Sequence, residues 1–246
     1  MQLAPGLHAI GDGVVNCYLV EEGGRVILVD AGLPGLWTEL RSELSAMGRS
    51  LGDVAGLLLT HSDSDHVGFA ERFRTETGAP VFVHELEAAH ARGEAKGKNP
   101  GMGRVRPVPL IRFLVWGMRH GGLRVTPIRE VLPLHGGETL DVPGSPRIIH
   151  VPGHSVGSIA VHVPSVDAVF VGDALTTLAV TTGERGPRPA PFSEDPATAL
   201  QSLSRIESLG ARWVLPGHGE PWADGVAEAV AAVRLAAGSA TGSTAP

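Results

Sequence analysis

Short aliphatic runs recur along the chain, at Val14–Val20, Arg25–Val29, Gly56–Thr60, Val81–His84, Arg147–Val151, Ile159–Val163, Ala168–Val171 and Trp213–Leu215. They are rich in Val, Ile and Leu and bounded by Gly, Pro or Asp, which predicts strands. Other stretches carry a helical period. Leu36, Leu40, Leu44 and Met47 fall on one face of a helix over Leu36–Met47. A shorter helix over Val67–Thr77 closes at Gly78, a C-cap residue. Asp195 as N-cap and Pro196 at the first helical position open a helix to Leu209, and Ala223–Ala237 forms a last, Ala/Val-rich one. The Gly/Ser/Thr/Ala-rich tail, 238–246, is expected to be disordered. Strands with interspersed helices imply a layered α/β architecture. A faint internal echo suggests two related halves: Val26-Ile27-Leu28-Val29-Asp30 resembles Val169-Phe170-Val171-Gly172-Asp173, and Pro152-Gly153-His154 resembles Pro216-Gly217-His218.

Composition narrows the setting. At 246 residues the chain can bury a sizeable core, as one large domain or two small ones. A formal charge of -6 argues against nucleic acid as a partner. The N-terminus lacks the basic-then-apolar pattern of a signal peptide. No apolar run approaches the roughly 20 residues of a membrane span, so a cytoplasmic location is the expectation. The single cysteine, Cys17, lies in an apolar run and reads as a small core residue. One stretch departs from the acidic average. Residues 93–130 hold Lys96, Lys98, Arg104, Arg106, Arg112, Arg119, Arg124 and Arg129 against only Glu94 and Glu130, around the largely apolar Val108–Met118. This region reads as an insertion with its own helix: either a surface helix packed on the domain or a cap over a substrate pocket.

The chemistry concentrates in Thr60-His61-Ser62-Asp63-Ser64-Asp65-His66-Val67-Gly68, where four potential metal ligands fall within six residues just after an apolar strand. A lone histidine is usually structural. Four ligands so packed call for a cation, since neighbouring carboxylates repel without one. Further candidates stand at strand ends: His154 and His218 in Pro-Gly turns, and Asp173 after Val169–Gly172. Singly, each reads as a cap or turn residue; their joint order carries the signal.

That order resembles the metallo-β-lactamase superfamily, whose pattern is an early strand-end Asp, then His-x-His-x-Asp-His, then a later His, an Asp and a last His. Asp30, residues 61–66, His154, Asp173 and His218 match in turn, and the resemblance covers roughly residues 7–235 apart from the insertion. It implies an αββα four-layer sandwich, here a single domain over 1–237 with a cap at about 93–130. It also implies two divalent metal ions, one held by His61, Asp63 and His154, the other by Asp65, His66 and His218, with Asp173 bridging. Asp30 would stand behind the ligands. The one departure is Asp63, where the family has His; an oxygen ligand there is harder than imidazole and favours manganese or iron more than an all-His face would. Zinc remains the favoured metal. The implied mechanism is attack of a metal-bound hydroxide on a carbonyl carbon, with Asp65 orienting it and shuttling its proton.

Substrate is less determined. Many acyl-lactone hydrolases of the family place a Tyr three residues after the bridging Asp; this chain has Thr176. The basic, apolar insertion suggests a small molecule with an anionic group and an apolar part, contacted by Arg112, Trp116 and Arg119. Ester, lactone or thioester hydrolysis is therefore expected. The alternatives are an iron enzyme resembling the mononuclear persulfide dioxygenases, a β-lactamase, and a non-catalytic binding member of the fold. A homodimer is compatible with the sequence.

Overall fold

The computed structural model describes residues 1–96 and 101–241. The first half builds a seven-stranded mixed sheet: β1 (Gln2–Ala4), β2 (Leu7–Gly11), β3 (Asn16–Glu22), β4 (Arg25–Val29), β5 (Val54–Leu58), β6 (Val81–His84) and β7 (Leu132–Leu134) lie side by side in chain order. The pairs from β1 to β4 are antiparallel and those from β4 to β7 parallel. Helices α1 (Trp37–Ala46), α2 (Ala70–Thr77), α3 (Ala88–Ala91) and α4 (Pro107–Arg119) belong to this half. The second half forms a four-stranded sheet from β8 (Arg147–His150), β9 (Ile159–Val163), β10 (Ala168–Gly172) and β13 (Trp213–Pro216), in the order β13-β10-β9-β8. A hairpin, β11 (Thr176–Ala179) with β12 (Glu184–Arg188), and helices α5 (Pro196–Ser202) and α6 (Val226–Thr241) complete it.

Alternation along the strands decides the layering, because successive side chains point to opposite faces. In β4, Val26 and Leu28 face the core under α1 and α2, while Ile27 and Val29 face the second sheet. In β10, Ala168 and Phe170 face back toward the first sheet, and Val169 and Val171 pack under α6 with Val226, Ala229, Val230 and Val233. Three cores between four layers make the αββα sandwich. Both sheets are buried on both faces, which is why their strands read as continuous apolar runs.

The sequence reading holds for all eight strands but missed β1, β2, β7, β11 and β12, which are short or interrupted by polar residues. The final helix runs to Thr241, through the expected tail start at Gly238. A single Gly costs only about 1 kcal/mol against Ala in a helix, and the alanines around it carry the helix on. Residues 242–246 and Lys98 lie outside the described residues. Cys17 is buried and unpaired in the first core, where burial pushes its thiol pKa up. No described helix is long and apolar enough to cross a membrane.

Candidate metal centre

Four strand ends meet at one edge of the sandwich. β5 leads into the 61–66 loop, β8 into the turn of His154, β10 into Asp173 and β13 into His218. Parallel register does part of the positioning. Gly172 pairs with Pro216, so Asp173 and His218 emerge side by side; Val29 pairs with Leu58, so Asp30 emerges beside Thr60. The backbone N–H of Ile159 donates to Thr60 O at 2.9 Å and ties the two sheets together there.

All seven residues expected as ligands converge at this edge. His61 Nε2 lies 3.7 Å and His154 Nε2 3.3 Å from Asp63 Oδ2. His218 Nε2 lies 3.4 Å from Asp65 Oδ2. Asp173 reaches both groups, with Oδ1 3.6 Å from His66 Nε2, and Oδ2 3.3 Å from His218 Nε2 and 3.7 Å from His154 Nε2. Two triads, His61/Asp63/His154 and Asp65/His66/His218, hold their donor atoms within 4.8 Å of one another, as does a third of His61, His66 and Asp173. Donors about 2.0–2.2 Å from a tetrahedral cation stand roughly 3.3–3.6 Å apart, so these spacings are those of ligands sharing an ion. His61 Nε2, His66 Nε2 and Asp173 Oδ1 are buried and find no hydrogen-bond partner among the described residues. The residues fit a dinuclear metal site.

The surroundings aim these donors. Asp30 accepts from His66 Nδ1 at 2.9 Å and from the Thr60 N–H at 2.8 Å, which leaves His66 Nε2 facing the centre. It does so from a left-handed φ of 61°, sparse for a non-glycine residue. His218 Nδ1 donates to Val14 O at 2.5 Å. Gly217 lets the last turn close, since a Cβ there would stand 2.3 Å from the His66 ring and 2.6 Å from Asp173 Oδ1. Thr176 donates to His218 O at 2.7 Å and braces that loop.

Electrostatics sort the imidazoles. Burial, reinforced by His66, lowers the pKa of His61 to about 4 and keeps it a neutral donor. Burial opposes charge on His66 and His218 too, but carboxylates outweigh it: Asp30 foremost for His66, lifted to about 10, and Asp173 foremost for His218, lifted to about 9. Burial also works against ionising Asp63 and Asp173, yet the surrounding histidines hold both below the usual carboxylate range.

Sequence reasoning missed Glu87, Ser62 and His90. Glu87, buried at the foot of α3, accepts from Ser62 N at 3.2 Å, from the Ser62 hydroxyl and from Gly157 N at 2.9 Å, so it fastens the 61–66 loop to the His154 loop. Ser62 Oγ, its proton committed to Glu87, lies 2.9 Å from His90 Nδ1 and accepts from it. Asn16 and Tyr18 of β3 likewise anchor the last turn through the Pro216 carbonyl.

The centre opens into a cavity of about 500 Å³ walled by Asp63, Asp65, His90, His154, Asp173 and His218 on one side and by Leu33, Phe113, Leu114, Met118, Val180 and Phe192 on the other. Phe113, Leu114 and Met118 of α4 thus bring the insertion to one wall of the cavity. The expected substrate contacts fall elsewhere on α4. Arg112, Trp116 and Arg119 are absent from the cavity wall. Trp116 Nε1 donates to Asp12 at 2.8 Å and its ring stacks on His120. Helical period accounts for this placement: 112, 116 and 119 share one stripe, and 113, 114, 117 and 118 form the opposite one, which lines the cavity.

Residues 10–218 match the family model for the metallo-beta-lactamase superfamily. "Probable metallo-hydrolase YflN" of Bacillus subtilis is 23% identical over 231 residues, 89% of this chain and 86% of that one. The atrochrysone carboxyl ACP thioesterase of Aspergillus fumigatus is 26% identical over 205 residues, 83% of this chain but only 50% of that protein. Among solved structures, a metallo-beta-lactamase family protein of Thermus thermophilus superposes with a TM-score of 0.69 at 29% identity, covering 98% of this chain and 81% of that one. TTHA1623 in a di-iron-bound form gives 0.60 at 27%, covering 90% and 96%.

Proposed function

The chain belongs to the metallo-β-lactamase superfamily, and from that premise we propose that it is a hydrolase, dependent on a pair of divalent metal ions, that cleaves a carboxylic ester, lactone or thioester. The observation that carries this reading is the 3.3–3.7 Å spacing of buried imidazoles and Asp173 with the half-buried Asp63 and Asp65 around two adjacent poles. His61, Asp63 and His154 would hold one ion, Asp65, His66 and His218 the other, and Asp173 both. When bound, the pair polarises a scissile carbonyl and acidifies a water nucleophile. The chain's own residues position and transfer. Asp65, partly exposed at the cavity wall, orients the attacking water and takes its proton. Phe113 and its apolar neighbours receive the acyl part and shed water from it.

The relatives support parts of this reading: a metallo-hydrolase name for one, a thioesterase for another, a di-iron form for a third. Imidazoles with carboxylates suit zinc, iron and manganese, and iron joins zinc as a leading candidate. The test is metal quantification on protein purified without added metal, coupled to a panel of ester, lactone, thioester and β-lactam substrates. About two ions per chain and turnover of an ester, lactone or thioester are expected. Asp173→Ala should lower metal content and turnover together. One tightly held iron per chain with oxygen consumption would replace this reading by the oxygenase; turnover of β-lactams alone would replace it by the lactamase.

A further inference from the structure

Seven of the twelve exposed large hydrophobic residues among the described residues lie between Met102 and Leu123. On α4, Val108 is 61% exposed, Ile111 58% and Met118 56%, and Leu123 just beyond is 88% exposed. Positions 108, 111, 115 and 118 form one helical stripe, the i, i+3, i+7 spacing of an amphipathic face, yet no residue of α4 is fully buried, and Val108, Ile111 and Met118 of that stripe stay exposed among the described residues. A contiguous apolar patch on a protein surface marks a contact site.

The segment is not loosely attached. Arg106 N donates to Thr181 O and Gly35 N to His120 O, both at 2.9 Å, while Phe113 and Trp116 pack against the first core. The exposed face is therefore held outward by an anchored helix. Its charge is one-sided: the sequence from Ala95 to Arg129 contains no acidic residue, in a chain of net charge -6. Arg106 pairs with Glu184 at 3.6 Å, whereas Arg104, Arg112, Arg119 and Arg124 pair with no described carboxylate.

We propose that α4 and the turn through Leu123 dock on an anionic lipid surface, the apolar residues entering the headgroup boundary and the arginines meeting lipid phosphates. Apolar side chains flanked by unpaired arginines are the pattern of a helix lying in the membrane interface. A second copy of the chain fits less well, because a two-fold interface would set this basic face against itself. Leu114, Met118 and Leu123 belong both to the exposed patch and to the cavity wall, so docking brings the cavity mouth to the bilayer. The inference stands on exposure and charge, independently of the metal centre.

The experiment is co-sedimentation of the intact chain with phosphatidylcholine vesicles, with and without phosphatidylglycerol, over a salt series. Binding to the anionic vesicles that weakens with salt is expected. Val108→Glu with Ile111→Glu, and separately Arg112→Glu with Arg119→Glu, should each weaken it at least about tenfold. These positions lie off the cavity wall, and unchanged melting and metal content certify folding. Absence of binding by the unaltered chain, or equal binding by both variants, overturns the proposal. So does a dimer in solution that the Val108/Ile111 variant dissociates, or binding of polyglutamate without vesicle affinity.

Discussion

Asp63 and Glu87 show how single residues set the properties of the centre. Asp63 Oδ2 stands where a third imidazole would serve the first pole, and it removes one unit of positive charge from the site. Under the proposed function, a water activated by metal ions held there would be less acidic as a result. Asp63→His should shift the rising limb of the pH–rate profile to lower pH, on the order of one to two units. Metal content must be followed in the same samples. Retention of both metals with the limb unmoved would remove Asp63 from the ligand set. Glu87 acts one layer out, through two arms to the Ser62 and Gly157 loops. Glu87→Gln turns one acceptor into a donor facing donors. We expect about 10–100-fold weaker metal binding at the His61/Asp63/His154 pole, with the Asp65/His66/His218 pole little changed. Titration of chelator-stripped protein reads the two affinities separately. A drop in melting temperature with both affinities intact would make Glu87 a fold residue only.

At the scale of elements, α4 divides its labour by face. The Phe113 ring meets His218 edge-on, with centroids 6.0 Å apart, and forms the apolar wall nearest the second pole. Trp116, on another face, fastens the helix to Asp12. Phe113→Ala should raise KM about tenfold or more for substrates with an apolar acyl part, since burying such a ring is worth roughly 1.5–3 kcal/mol. It should leave kcat nearer to normal, because the wall binds ground and transition states alike. Steady-state kinetics on whichever ester, lactone or thioester is turned over provide the check. Equal KM values for short and long acyl substrates in both proteins would show that the wall is idle. The face of this helix was not legible in the sequence: its arginines and tryptophan drew attention, while the residues beside the centre are plain hydrophobes.

Across the whole molecule, the centre couples metal, protons and stability. In metal-free protein, His66 and His218 are stabilised as cations by Asp30, Asp173 and Asp65. Their folded pKa values, about 10 and about 9, lie above the ordinary histidine value of 6.5. The stabilisation is thus fully present below pH 6.5 and lost as pH rises through 9 to 10. Metal binding has the opposite slope, because both imidazoles must release their protons to ligate. Chelator-treated protein should therefore melt at progressively lower temperature from pH 6.5 to 9, while the metal-induced rise in melting temperature grows. A chelator-treated melting temperature that rises across this window would contradict the charge arrangement.

The sequence by itself indicated eight of the strands and, through its resemblance to the superfamily, the four layers and the seven candidate donors that the structure brings together. Those signals are local. A strand's apolar run, a Pro-Gly turn and a carboxylate or imidazole at its end are written within a few neighbouring residues. The order in which they recur along the chain carries the fold. Only the tertiary structure decided that Glu87 joins two ligand loops, that Thr176 braces a turn, and that Arg112 and Arg119 face away from the cavity. Glu87 meets Ser62 and Gly157 across separations of 25 and 70 residues, and Asn16 reaches the Pro216 carbonyl across 200. Such contacts depend on sheet order, strand register and helix rotation, and each of these is settled by how distant apolar faces pack together.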